Sequence, residues 1–169
     1  MSEPNVRIEI MDYDPHWPRL YEEERARVAA ALGALARSIE HIGSTSVPGL
    51  SAKPIIDLLV TVERLGSANP YIEPLGSLGY TFFSVMGNTE RHAFGRGDPH
   101  THHVHFVQHG GEEHMRPLIF RDYLRTHPEE ARQYEAIKRA LAVRYHHDRR
   151  AYSQGKSEFV RSIEAKARE

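Results

Sequence analysis

The amino-acid sequence predicts an α+β fold, in which helices pack against a mixed β-sheet and the last third of the chain is helical. Three observations support this fold class: a helical apolar period near the N-terminus, strand-like segments between residues 38 and 108, and helical spacing after Gly110. The length of 169 residues suits one domain, so we expect residues 1–169 to fold as a single unit.

The first half of the chain divides at turn and capping residues. Asp14 and Pro15 are typical of a helix start, because the carboxylate can cap and proline fits the first helical position. The apolar run at residues 55–62 lacks alternation, which indicates a strand buried on both faces. The predicted elements are, in order, a strand at residues 6–11, a helix at 15–33, strands at 38–42 and 55–62, and a broken helix at 70–78.

Three more predicted strands are followed by helices. The strands, at residues 80–85, 90–94 and 102–108, are separated by Gly, Asn and Asp residues typical of turns. Leu118, Ile119 and Leu124 predict one short helix, and Pro128 begins the next. Apolar residues from Phe159 to Ile163 predict a last helix, which we expect Gly155 to interrupt.

The composition excludes several classes of function. The formal net charge is −1, so no global field attracts the chain to nucleic acid or to an anionic membrane, although a local basic patch is compatible with this balance. The absence of cysteine removes disulfides, thiolate metal sites and cysteine nucleophiles. Residues 1–10 lack a signal-peptide core and no apolar stretch approaches the ~20 residues of a membrane span, so we expect a cytoplasmic protein without membrane contact.

Asp57 is the first candidate functional residue. A carboxylate inside a buried strand costs several kcal/mol unless it is ion-paired, protonated or metal-bound. An ion pair with Lys53 or an arginine would be a purely structural explanation. A functional explanation comes from Gly43 and Ser44, which end the preceding strand. Glycine lets a ligand approach, and the backbone N–H groups near Ser44 and Thr45, with the Ser44 hydroxyl, can hold phosphate oxygens beside an Mg²⁺ on Asp57.

The histidines offer further metal ligands. Six of the twelve histidines fall between His100 and His114, and strand alternation places His103 and His105 on one face. Two imidazoles and Asp57 would suit Zn²⁺, Mn²⁺, Fe²⁺ or Ni²⁺ better than Mg²⁺. The other reading is that both are polar residues of a half-exposed strand. We expect the remaining four to lie on the surface or in loops: His100, His102, His109 and His114.

The segment HIGSTSVPGLSAKPIID, from His41 to Asp57, resembles the signature of the GrpB family. The resemblance continues through His103 to His105, Phe120 to Arg125, and Lys138 to Lys156, and so covers nearly the whole chain. GrpB domains also occur fused to some bacterial dephospho-CoA kinases. The resemblance implies a nucleotidyltransferase-like fold, with a mixed β-sheet, packed helices and a helical C-terminal third.

The resemblance also concerns a set of basic residues, and at one position this chain departs from the usual nucleotidyltransferase pattern. Lys53 and Arg91 could contact phosphate from the sheet region, and the resemblance implies the same role for three residues of the C-terminal helices: Arg121, Lys138 and Lys156. Nucleotidyltransferases of this type usually carry a second acid two residues after the first, but this chain has Leu59 there. The usual two-metal arrangement therefore lacks a shared ligand.

Three functional hypotheses follow. In the first, a metal-dependent nucleotidyltransferase uses Ser44, Asp57 and His105 as catalytic residues, with a divalent metal (Mg²⁺ or Mn²⁺, or alternatively Zn²⁺) on Asp57, His103 and His105. In the second, the chain binds a nucleotide or coenzyme A-like molecule without turnover. In the third, it is a histidine-metal phosphohydrolase. All three imply a nucleotide or phosphorylated small molecule as ligand, and the oligomeric state is open.

Overall fold

Five strands form a single mixed sheet in the computed structural model, which describes residues 6–83 and 88–169. The elements are, in chain order, α1 Trp17–Leu32, β1 Ser38–Ile42, β2 Ile56–Val62, α2 Asn69–Gly76, β3 Thr81–Phe83, β4 His92–Gly97, β5 His100–Gln108, α3 Glu112–Thr126, α4 Pro128–Arg144 and α5 Arg149–Ala167. Short 3₁₀ turns span Gly33–Leu35 and Ser44–Ser46. The predicted α+β class and the helical C-terminal third are confirmed.

The strand order β1-β2-β5-β4-β3 places β2 and β5 side by side in the interior of the sheet. These two strands are parallel, whereas the other pairs are antiparallel, so the sheet is mixed. The register sets Asp57 of β2 opposite His103 of β5, and Leu59 opposite His105. The three residues that were predicted together as metal ligands therefore lie on neighbouring strands.

The two faces of the sheet carry different side chains. Leu58 and Val60 of β2, with Val104 and Phe106 of β5, pack in the main core, which includes residues of α1 and α2. Asp57, His103 and His105 lie on the opposite face by strand alternation. On that face Leu118 of α3 packs against the apolar group of Ile42, Leu59 and Val107.

The three C-terminal helices share a core of their own. Leu124 of α3, Tyr134 of α4 and Ile163 of α5 pack with Val47 and Leu50, which follow the 3₁₀ turn after β1. This cluster ties the helices to the chain between β1 and β2. It therefore brings the side chains of α4 and α5 close to the Gly43–Ser44 turn.

Several predicted boundaries differ from the structure. Among the described residues, the predicted strand at residues 6–11 pairs only through an isolated bridge between Met11 and Ala52. The first helix begins at Trp17, two residues later than predicted, with the carboxylate of Asp14 accepting from the His16 amide at 2.8 Å. β3 covers Thr81–Phe83, and the rest of the predicted strand extends outside the described residues.

The largest correction concerns Gly155, which does not interrupt α5. A Cβ at this position would lie 2.5 Å from Cδ2 of Leu141 on α4. The glycine thus permits close packing of the two helices. In the part of the chain that the structure describes, none of the helices is both long and apolar enough to cross a membrane.

Candidate metal and phosphate site

Gly43 allows the chain to pass directly over Asp57. Gly43 has φ 76° and ψ −179°, a backbone conformation open essentially to glycine. A Cβ there would also lie 2.6 Å from Oδ2 of Asp57. The Gly43–Ser44 turn and the buried-strand acid were predicted to face each other, and the structure brings them into contact.

Asp57, His103 and His105 form a compact group of three candidate ligands. Oδ1 of Asp57 lies 3.3 Å from Nδ1 of His103 and 3.3 Å from Nε2 of His105. The three ligand atoms lie within 4.8 Å of one another. Their side chains are mostly buried, with exposed fractions between 13% and 23%. The group is reachable from solvent but largely shielded from it.

The protonation states of this group suit a cation. Burial acts to raise the pKa of Asp57, but hydrogen bonds from His103 and His105 outweigh it and hold this pKa well below its usual range. Burial lowers the pKa of His105, against the opposing effect of its bond to Asp57. Near neutral pH the site therefore presents an ionised carboxylate and a neutral imidazole, the forms in which these groups bind metals.

The two distances from Asp57 to the imidazole nitrogens match the spacing of ligand atoms around a metal. With ligand bonds of about 2.0–2.1 Å, neighbouring ligand atoms in a tetrahedral zinc site are about 3.3 Å apart. Both contacts of Asp57 have this length. The chemistry of the donor set, two nitrogens and one oxygen, matches borderline metals such as Zn²⁺ and Mn²⁺.

His100 supports the group in a way that the sequence did not reveal. Nδ1 of His100 lies 3.0 Å from Nε2 of His103, and the rings meet edge to face. The ring of His100 rests on Gly95, where a Cβ would come within 2.5 Å of it. A second partner for a ligating imidazole fixes its tautomer and orientation. The prediction of a surface role for His100 is wrong.

Three other histidines were also expected on the surface or in loops. His102 is partly buried on β5, with Nδ1 3.1 Å from a guanidinium nitrogen of Arg96. His114 is buried at the start of α3, where its Nδ1 accepts from the Gly110 amide at 2.9 Å. The ring of His109 contacts that of His114. His102 and His114 therefore contradict the expectation.

Three lysines lie close enough together for their charges to interact, and one of them contacts the Gly43–Ser44 turn. Nζ of Lys138 donates to Oγ of Ser44 at 2.9 Å and to the carbonyl of Ser51. Nζ of Lys156 lies 4.5 Å from the centre of the Tyr152 ring, and Nζ of Lys53 lies 5.2 Å from it. These are cation–π contacts, which hold an ammonium group without neutralising its charge.

Burial and mutual repulsion shift the two helical lysines. Burial, followed by the charge of Lys156, lowers the pKa of Lys138 to about 7. Burial, followed by the charge of Lys53, lowers the pKa of Lys156 to about 7, against the attraction of Asp57. A nearby anion would raise the pKa of both lysines and favour their charged forms.

The remaining predicted phosphate contacts lie further from this centre. The buried Thr45 hydroxyl donates to the carbonyl of Ile55 at 3.0 Å. Arg121 donates to Glu40 at 2.8 Å and to the carbonyl of His41 at 3.0 Å, beside the edge strand β1. Nε of Arg91 lies 3.2 Å from Glu113, an ion pair without hydrogen-bond geometry. Arg91 is still near enough for its charge to act on His105.

Leu59 occupies the position where the related pattern has a second acid. It is fully buried, in the apolar group with Ile42, Val107 and Leu118. A carboxylate there would lie in an apolar environment. The two imidazoles of β5, rather than a second acid, complete the group around Asp57.

Comparison with known proteins settles the family. The model of the family described as GrpB protein matches residues 7–166. The chain belongs to the GrpB family. A crystal structure of conserved protein GrpB from Enterococcus faecalis is similar over 94% of this chain and 96% of that one, with a TM-score of 0.85 and 35% identity.

GrpB relatives differ in length. A UPF0157 protein of Pseudomonas aeruginosa is 43% identical over 95% of this chain and 68% of its own length. A UPF0157 protein of Bacillus subtilis is 37% identical, and the chain spans 48% of it. A dephospho-CoA kinase of Mycolicibacterium paratuberculosis is 28% identical over 95% of this chain, which accounts for 46% of that protein. The predicted fusion of GrpB domains to dephospho-CoA kinases is thereby confirmed.

Proposed function

We propose that this chain binds a nucleotide or another phosphorylated small molecule together with a divalent metal, and transfers a nucleotidyl group from it. The single observation behind the proposal is that Asp57, His103 and His105 lie beside the Gly43–Ser44 turn, where Lys138 contacts Ser44 and the charges of Lys53 and Lys156 act on Lys138. Phosphate esters bound with a metal need both a cation receptor and an anion receptor, and this site has the groups for each.

The anion receptor is built from Lys53, Lys138, Lys156 and the hydroxyl of Ser44. Lys138 already donates to Ser44, so an incoming phosphate oxygen would meet a hydroxyl and an ammonium group held together. The amides of Ser44 and Thr45 are not used by the 3₁₀ turn, whose bonds run from Ser46 and Val47. They can add two backbone donors to the same phosphate.

The cation receptor is Asp57 with His103 and His105. A metal bound there would supply positive charge to a phosphate ester held by the lysines. His105 keeps its neutral form through burial, so it can either bind the cation or accept a proton from an acceptor hydroxyl. Ser44 and the lysines orient the phosphates and balance their charge.

A second candidate is binding without turnover, and the burial of Leu59 favours it. The position of the second acid is closed by an apolar cluster, so a two-metal reaction lacks a bridging ligand. The dephospho-CoA kinase relatives make coenzyme A and dephospho-coenzyme A reasonable probes for this alternative.

Isothermal titration tests the binding proposal, with ATP, coenzyme A or dephospho-coenzyme A added in the presence of Mn²⁺ or Zn²⁺. We expect micromolar affinity that falls by at least about tenfold in Asp57→Asn, because a metal ligand is lost. Asp122→Asn, an exposed acid beside Arg121, is the control. Equal affinity of Asp57→Asn and wild type would contradict the metal-dependent site.

Product analysis distinguishes nucleotidyl transfer from binding without turnover, and also from hydrolysis. Nucleotidyl transfer releases pyrophosphate from a nucleoside triphosphate, whereas a phosphohydrolase releases inorganic phosphate. Release of pyrophosphate that Asp57→Asn abolishes supports transfer. Tight binding with no product from any tested triphosphate and acceptor supports the binding role instead.

A further inference from the structure

A basic recess lies beside Lys156, between the three C-terminal helices. Its volume is about 270 Å³, and its lining includes Arg116 of α3, Tyr134 of α4, and Ser153, Lys156 and Arg161 of α5. The lining residues of α5 recur at intervals of three and four, so they share one face of the helix. One continuous helical face therefore lines the recess with hydroxyl and basic groups.

The ionisable groups that line the recess are basic, apart from the phenol of Tyr134. Two guanidinium groups and one ammonium group line it, with two serine hydroxyls and, among the described residues, no carboxylate. Arg116 donates to Glu164 at 3.2 Å and to Glu113 at 3.4 Å. Arg161 makes no ion pair with any residue that the structure describes, so its charge is available to a ligand.

The recess adjoins the candidate site through two shared residues. Lys156 lines the recess, and its pKa responds to both Lys53 and Asp57. Tyr134 lines the recess, and the centre of its ring lies 4.8 Å from Nζ of Lys138, which donates to Ser44. A ligand held at Ser44 can therefore extend over Lys156 into the recess.

The size of the recess limits what it holds. Pockets for complete drug-sized ligands measure about 300–1,000 Å³. A recess of about 270 Å³ with basic walls fits one charged group better than a whole nucleotide. Phosphate is the group that guanidinium and ammonium side chains bind together most readily.

We propose that this recess is a second phosphate subsite of the same ligand. The ligand class is then a small molecule with at least two phosphate groups, such as a nucleoside diphosphate or triphosphate. One phosphate is held at Ser44 and Lys138, and another is held by Arg161 and Arg116, with Lys156 between them. This inference rests on the proposed function, because it describes how far the ligand of the Asp57 site extends along the protein.

The test compares ATP with AMP by isothermal titration at pH 7 and fixed Mn²⁺ concentration, using wild type and Arg161→Gln. Arg161 is exposed, so its replacement leaves the fold intact. We expect wild type to bind ATP more tightly than AMP. Arg161→Gln should weaken ATP binding about fivefold to tenfold and leave AMP binding within about twofold, as for one charged contact. Arg150→Gln, exposed on α5 but absent from the lining of the recess, is the matched control.

The possible outcomes distinguish failure of the second phosphate subsite from failure of the proposed function. Equal affinity of wild type for ATP and AMP, or equal effects of Arg161→Gln on both, overturns the second subsite and leaves the proposed function intact. An effect of Arg150→Gln as large as that of Arg161→Gln also overturns it, because general charge would then be the cause. A wild-type protein that binds neither nucleotide overturns the proposed function and this inference together.

Discussion

Gly43 is the residue on which the candidate site depends most directly. Its φ of 76° strains any other side chain, and a Cβ would enter the space of Asp57 Oδ2. Gly43→Ala should lower the free energy of unfolding by about 1–3 kcal/mol and should also weaken Mn²⁺ binding, because Asp57 must move. Urea unfolding and metal titration measure the two effects.

Gly49 provides the matched control for Gly43. Its φ of 82° is nearly the same, but a Cβ there meets nothing within 4 Å. Gly49→Ala should therefore lose stability through strain and keep the metal affinity of wild type. If Gly43→Ala also keeps that affinity, close approach to Asp57 is not needed for the site.

His100 should act as a positioning residue for His103. When Nδ1 of His103 binds a cation, Nε2 carries the proton and donates to His100 across their 3.0 Å contact. His100→Ala should therefore weaken Zn²⁺ binding about 10–100-fold, and His100→Gln, which keeps an acceptor, should restore part of it. Substitution by Co²⁺ gives a visible spectrum that reports the ligand geometry. Equal losses in the two variants would indicate a packing role only.

At this scale the sequence predicts the metal group but not its support. A lone acid in a buried strand and two histidines with strand alternation were enough to select Asp57, His103 and His105. The same alternation places His100 on the other face from His103. The register of β4 and β5 shifts between Arg96 and Gly97, and a bulge changes which face a side chain occupies. The alternation of residues along a strand does not reveal such a register shift.

Helices α4 and α5 carry Lys138 and Lys156, so the packing of these helices positions the two lysines. Gly155 determines how closely the two helices approach each other. Replacing an unconstrained helical glycine by alanine gains about 1 kcal/mol. Gly155→Ala should gain less than this or lose stability, because its Cβ would lie 2.5 Å from Cδ2 of Leu141. In a Leu141→Ala background the same change should recover the full gain. A double-mutant cycle from urea unfolding measures this coupling.

Gly76, the last residue of α2, serves as the reference for Gly155. A Cβ at this position meets nothing within 4 Å, so Gly76→Ala should stabilise the protein in either background. If Gly155→Ala gains as much as Gly76→Ala in the wild-type background, then contact with Leu141 does not limit the helix spacing.

The sequence predicted whether most elements are helices or strands better than it predicted the residues at which they begin and end. β1 was predicted at its observed bounds, because Gly43 and Ser44 end it. The segment at residues 6–11 alternates apolar and polar residues, but among the described residues it pairs only through Met11. Its contacts are instead with the C-terminal helices: the Ile8 amide donates to the carbonyl of His146 at 2.7 Å, and Ile8 packs with Ala142 and Tyr152. This placement is set by tertiary packing, so the local pattern does not show it.

On the scale of the whole molecule, the site lies where the two parts of the chain meet. The strands supply Asp57 and the histidines, and the C-terminal helices supply Lys138 and Lys156. The 22 basic and 23 acidic side chains nearly balance, so the positive charge of the site is local. Burying two ammonium groups near each other costs stability in the absence of an anion.

That cost makes stability depend on pH. Lys138 and Lys156 have pKa values of about 7 in the folded protein, whereas lysine in an unfolded chain titrates near 10.4. Above pH 7 the unfolded chain therefore binds more protons than the folded one, and the free energy of unfolding should rise from pH 7 to pH 9. The expected slope is about 1 kcal/mol per pH unit for each lysine.

Urea unfolding at pH 7, 8 and 9 measures this slope, and two variants assign it. Lys138→Met should remove about half of the slope, while Lys166→Met, at an exposed position of α5, should leave it unchanged. The charged neighbours of Lys138 are Lys156, Glu135, Lys53 and Arg139. A saturating phosphate ligand should flatten the slope, because it raises the pKa of both lysines. A slope that persists in the doubly substituted Lys138→Met, Lys156→Met protein would show that other groups control the pH dependence.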